Sequence, residues 1–241
     1  MNARNAHRFI RPRAGAALLC ALTAAAAIAA AGDIGRQAAS YEHMARLEQY
    51  LMDQGAEIAL ARSAAPSAVS ANATVLVLKP QGYETAAKGA NGFTCLVERS
   101  WMSPFDNPEF WNARIRGPVC YNRAASNSVL SYTLWRTKRA LEGHPRERLL
   151  EETRAALASK ELPPPEIGAM SYMMSKDQYL ADNGPHWHSH LMFHVPRVAA
   201  ASWGANLPGS PVIFDNRDLP EQAIFMVPVD HWSDGTAAPA L

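Results

Sequence analysis

Between Gly184 and Pro196 the chain reads Gly-Pro-His-Trp-His-Ser-His-Leu-Met-Phe-His-Val-Pro, with four of its eight histidines at alternate positions. Successive side chains of a strand point to opposite faces. His186, His188, His190, Met192 and His194 then share one face, and Trp187, Ser189, Leu191, Phe193 and Val195 the other. The pattern is that of a half-buried strand, with its core on the Trp, Leu, Phe and Val side and a row of imidazoles opposite. A helix would also align His186, His190 and His194, with Asn183 as cap and Pro185 in the first turn. The short span between prolines and its aromatic and β-branched residues favour the strand.

The rest of the chain supplies strands on both sides of a helical middle. Tyr41, Met44, Leu47 and Leu51 recur at three- and four-residue steps, which predicts a helix over Ile34 to Gly55, with Ser40 as a plausible cap. A small-residue connector, Arg62 to Ala73, follows. Thr74 to Leu78, Tyr83 to Ala87 and Phe93 to Arg99 are short strand runs separated by turn residues, as in an antiparallel meander. Val129 to Leu141 and Pro145 to Lys160 have helical periodicity, and Pro163-Pro164-Pro165 stops the second. Strands at Ala169 to Ser175, Pro211 to Asp215 and Ala223 to Val229 complete the set. The expected fold is α+β: one domain, a largely antiparallel sheet, an N-terminal helix and a central pair of helices.

The first residues resemble a targeting segment. Arg4, Arg8, Arg11 and Arg13 precede an Ala- and Leu-rich run that ends near Ala31 in an Ala-x-Ala-like site. The alternative is an uncut anchor, but the run is short for a bilayer span of roughly 20 residues. The Leu before Cys20 argues against lipoprotein-type processing. The expected organisation is a cleaved signal peptide at 1–31, a helix and linker at 32–73, a core domain at 74–235 and a frayed tail at 236–241. Export would be periplasmic or secreted, with no stable membrane insertion after cleavage. Removing the four arginines changes the formal charge from +1 to −3. Without a basic run, the chain offers no electrostatic footprint for nucleic acid.

Cleavage would also remove Cys20 and leave Cys95 and Cys120, either as a disulfide or as two buried thiols. A bridge would pin the third strand to the long loop from Trp101 to Tyr121. That loop carries Trp101, Phe105, Phe110 and Trp111, which either plug the core or line a pocket, where Asp106, Glu109, Arg114 and Arg116 would be the polar groups. Trp101, Phe105, Trp111 and Arg114 are therefore the candidate ligand-binding residues, for a small molecule or a protein partner.

Paired imidazoles at i and i+2 on a strand suit a divalent transition metal, zinc or copper. Three consecutive alternate positions extend over roughly 13 Å, too far for one ion without a bend. The candidate ligands are His188 and His190, joined by His186 or by His231 beside Asp230, with Met192 as a soft donor that would favour copper. Alternatively these histidines form a polar outer face. HExxH, a cupin-like His-x-His with a following Glu, CxxCH, GxSxG and Walker patterns do not occur. Glu98, Glu109, Asp177 and Asp182 are candidates for proton transfer in a metal-dependent enzyme, although Glu98 beside Arg99 also reads as a solvated pair.

Three runs carry a resemblance: Asn91 to Trp101 (Asn-Gly-Phe-Thr-Cys-Leu-Val-Glu-Arg-Ser-Trp), Trp187 to Phe193 (Trp-His-Ser-His-Leu-Met-Phe) and Trp203 to Pro211 (Trp-Gly-Ala-Asn-Leu-Pro-Gly-Ser-Pro). With them the chain resembles an exported bacterial family of no assigned activity. The resemblance implies export and a single domain, and it implies no substrate or catalytic residue.

Overall fold

Val75, Leu76, Val77 and Leu78 are buried on both faces of the first strand, which requires cover on both sides of the sheet. A computed structural model describes residues 41–182, 188–195, 202–214, 219 and 223–239. Strand β1 (Thr74–Lys79) turns through Pro80 and Gln81 into β2 (Gly82–Ala87), with Lys79 opposite Gly82. Gly82 has φ of +132°, a conformation that a side chain would strain. β3 (Thr94–Glu98) lies beside β1 rather than β2, and parallel to it. The meander expected over 74–99 is thus one hairpin plus a crossover.

β4 (Gly117–Tyr121) pairs antiparallel with β3 and joins it to β5 (Met170–Met173). β4 falls where the sequence suggested only loop, because Gly117-Pro118 looks like a strand breaker. Pro118 has no N–H to give, and the carbonyl opposite it, that of Val97, accepts from Tyr83 Oη at 2.6 Å and from the Arg99 guanidinium. β6 (His190–Val195) pairs antiparallel with β5 and with β8 (Ala223–Pro228). The two-residue β7 (Ile213–Phe214) ends the eight-stranded sheet, whose order is β2-β1-β3-β4-β5-β6-β8-β7. Its outer strands are the half-exposed β2 and the very short β7, the usual protection for a sheet edge.

Helix α1 (Gln54–Arg62) covers one face. The expected helix over 34–55 is displaced: Asp53 caps α1 by accepting from Ala56 N at 2.9 Å, and of residues 41–53 only Leu47–Gln49 make a 3-10 turn. Residues 34–40 lie outside the described residues. Tyr41, Met44 and Leu51 still pack on the core, so their spacing marks burial without a helix. The connector after α1 contains the short α2 (Ser67–Ser70). Cys95 and Cys120 stand opposite each other on β3 and β4 under α1, at disulfide distance, with S–S 1.93 Å.

The other face of the sheet carries α4 (Val129–Leu141), which follows the short α3 (Arg123–Asn127) and leads to α5 (Arg146–Ala158). Leu76, Leu96, Val119 and Tyr121 meet Val129 and Leu130 there. From Tyr41 onward the chain forms one compact α+β unit. Among the described residues no helix is long and apolar enough to cross a membrane.

Candidate functional site

Cross-strand register decides which side chains meet under α4. Met173 lies opposite His190, Ser171 opposite Met192, and Met226 and Ile224 opposite Met192 and His194. Residues directly opposite share a face, so these strands present a floor of imidazole, thioether and hydroxyl groups. Together with α4 and residues 102–107 the floor encloses a cavity of about 410 Å³. Glu98, Arg136, His190 and His194 all line it, among apolar walls that include Met102, Met173, Met192 and Met226.

The imidazole alternation therefore holds from His190 to His194, with the opposite burial from that expected. His190 and His194 are buried, 1% and 3% exposed. Leu191 and Phe193, on the other face, are half-buried, and Phe193 packs on Trp203, which itself stacks on Phe225 at 4.5 Å. A helix laid across the imidazole face removed it from water. Alternation alone shows that two faces differ, not which one is covered.

The buried histidines have defined environments. His190 Nδ1 lies 2.8 Å from the His188 carbonyl, so Nδ1–H donates and Nε2 is the acceptor nitrogen. His194 Nε2 lies 3.0 Å from Ser171 Oγ, and its Nδ1 is buried without a partner among the described residues. Burial pushes both rings down to about 4, so both are neutral near pH 7. A histidine kept neutral by the fold takes up its proton more readily once unfolded. The stability it supports is present above the unfolded value near 6.5 and falls as pH drops from there toward 4. Chemical unfolding at pH 7 and pH 5 should show a loss of about 2 kcal/mol per ring, less the opposing contribution of Glu98. His194→Gln should flatten the slope, and an unchanged slope would show that His194 is not the group titrating.

Glu98 is held on the cavity wall by Tyr121 Oη, which donates to Oε1 at 2.5 Å, and by Thr133 Oγ1 at 3.3 Å. Both bonds fall on Oε1, and Oε2 has no hydrogen bond from the described residues. Burial raises the carboxyl above its ordinary range, against the lowering effects of these two hydroxyls and of the Arg136 charge. It is not a solvated pair with Arg99, because Arg99 turns to the other side of the strand and binds Glu57.

The other sequence candidates are dispersed. His188 precedes β6, is partly exposed, and its Nδ1 lies 3.4 Å from the Pro239 carbonyl. His231 is exposed and pairs with Asp230 at 2.5 Å. His186 lies outside the described residues. Among the described residues no group of three or more His, Cys, Asp or Glu is placed to hold a metal ion. In the aromatic loop Trp101, Phe105 and Trp111 are buried, so they do not form an exposed docking face. Trp101 donates to Thr137 Oγ1 at 3.0 Å, and only Phe105 of these three lines the cavity.

Arg114 points outward to Asp182, whose carboxylate also accepts from Tyr41, Tyr179 and Asn112. Burial alone would raise Asp182, but these hydrogen bonds outweigh it and hold the carboxyl at about 2. Glu109 joins the same network by accepting from Asp182 N. These groups fasten the loop to residues 179–182 and stand apart from the cavity.

Arg136 is the cavity residue that the sequence reading passed over, although a signal existed. It lies seven residues after Val129 and three after Thr133, on the inward face of α4. Comparison with known proteins finds no protein family, no curated protein and no solved structure that matches this chain.

Proposed function

We propose that this is an exported, periplasmic or secreted protein that binds a small organic molecule in the cavity between the sheet and α4. The observation that carries the reading is the convergence of Glu98, Arg136, His190 and His194 on one largely apolar cavity of about 410 Å³. Ligand pockets commonly span roughly 300–1,000 Å³ and combine apolar walls with a few placed polar groups. Export is supported by the basic, then apolar, N-terminal segment and by the cysteine pair at disulfide distance.

Methyl-labelled methionine spectra test the reading, since four methionines line the cavity. Titration with a library of small acids, amides and alcohols should move the Met102, Met173, Met192 and Met226 methyls together. Met226→Trp should abolish the response while the protein stays folded, because overpacking one wall costs only about 1–3 kcal/mol. Binding undiminished in Met226→Trp would place the ligand elsewhere.

A second reading is a zinc or copper ion held by His188 and His190 with His186 or His231. Its support is the Nδ1 bond of His190 to a carbonyl, the orientation common among metal-ligating histidines. One equivalent of metal in protein purified without a His-tag, lost in His190→Ala, would favour it.

A further inference from the structure

Among the described residues two arginines, Arg99 and Arg136, are almost completely buried, and they are treated differently. Arg99 meets the Glu57 carboxylate at 2.8 Å. Arg136, 2% exposed, bonds among the described residues only to neutral groups: Nη1 donates to Tyr132 Oη at 2.5 Å and Nη2 to the Ser103 carbonyl at 2.7 Å. Its guanidinium lies 3.8 Å from the centre of the Phe105 ring, and its Nε is buried without a partner. Among the described residues it forms no ion pair with a carboxylate. A buried charge without a counter-charge is costly, and such a charge on a cavity wall is compensated when an anion enters.

We infer that the cavity ligand is a carboxylate, bound through its charge by Arg136, with its apolar body against the methionine walls. This deepens the cavity-binding reading and rests on it. Two features agree with a carboxylate. The guanidinium is held over the Phe105 ring by its two hydrogen bonds, so little of its freedom remains to be lost on binding. Burial raises the carboxyl of Glu98, on the same cavity, above its ordinary range, the direction that reduces its repulsion of an anion. The four thioethers and the aliphatic side chains of Val129 and Ile224 can take a hydrocarbon body.

Matched neutral and acidic probes test this: 4-methylbenzoate against 4-methylbenzamide, and octanoate against octanamide, titrated into the full chain and read from the four cavity methionine methyls. The acids should bind at least tenfold more tightly than their amides. Arg136→Met keeps the apolar stem and removes the charge. It should weaken acid binding roughly 10- to 100-fold and leave amide binding within about twofold, the partition expected when only the ionic contact is lost. Equal binding of acids and amides by the parent, or an acid preference that survives in Arg136→Met, would overturn the inference while leaving the cavity reading intact. The parent comparison stands even if the variant fails to fold. Failure of all four probes and of the wider library to move the methyls would overturn both.

Discussion

Glu57→Ala should lower the free energy of unfolding by about 3–5 kcal/mol, the cost of leaving one partner of a buried ion pair uncompensated. Glu57 and Arg99 are fully enclosed, with side-chain exposures of 1% and 0%. Glu57 Oε1 accepts from Arg99 Nη2 at 2.8 Å and from the backbone N of Leu78 at 3.0 Å. Arg99 in turn donates Nε to the Tyr50 carbonyl at 2.8 Å and Nη1 to that of Val97. The pair thus ties α1, β1, the end of β3 and the chain before α1 at one point. Urea unfolding followed by circular dichroism would measure the loss, and a change under about 1 kcal/mol would show that water reaches Arg99. Glu57→Leu with Arg99→Met should recover much of the loss, since exchange of a whole buried pair for apolar groups is often neutral.

Removing the cysteine pair should be the next largest effect. Cys95 and Cys120 are 25 residues apart, directly opposed in register, and wholly buried beneath α1. Closing a loop of that length restricts the unfolded chain and stabilises the fold by about 3 kcal/mol. Cys95→Ala with Cys120→Ala should lose about that amount, in an additive manner with Met226→Trp because cavity and disulfide lie on opposite faces of the sheet. A double variant with the parent's unfolding midpoint would mean that the bond contributes nothing in solution. The loop closed by the cysteines contains Phe105 and the residues 102–107 of the cavity wall. The variant should therefore also broaden the Met102 methyl signal.

Much of the architecture was legible because it is written locally. Val129 to Leu141 carries the helical period, and Thr74 to Lys79, Thr94 to Glu98 and Ala223 to Pro228 are short runs rich in β-branched and apolar residues. The sequence left Cys95 and Cys120 as a bridge or as two buried thiols, and their opposed positions on β3 and β4 place them at disulfide distance. β4 was hidden because Pro118 lacks a ladder donor, and the groups that compensate, Tyr83 and Arg99, are distant in sequence or on another element. Likewise Tyr41, Met44 and Leu51 show helical spacing, yet the capped helix begins only after Asp53.

The cavity divides the same way. Once these runs are strands, the order of residues puts His190, Met192 and His194 on one face of β6 and Glu98 on one with Leu96, because successive side chains alternate. Val129, Thr133 and Arg136 had to share a face of α4 for the corresponding reason of helical pitch. Which of these faces would turn toward each other was decided by tertiary structure. Parallel pairing of β1 with β3 and the crossing of α4 over β3 to β6 brought them together. Burial, charge isolation and proton affinity then follow from that packing, since they depend on which groups exclude water from a side chain rather than on which residues precede it.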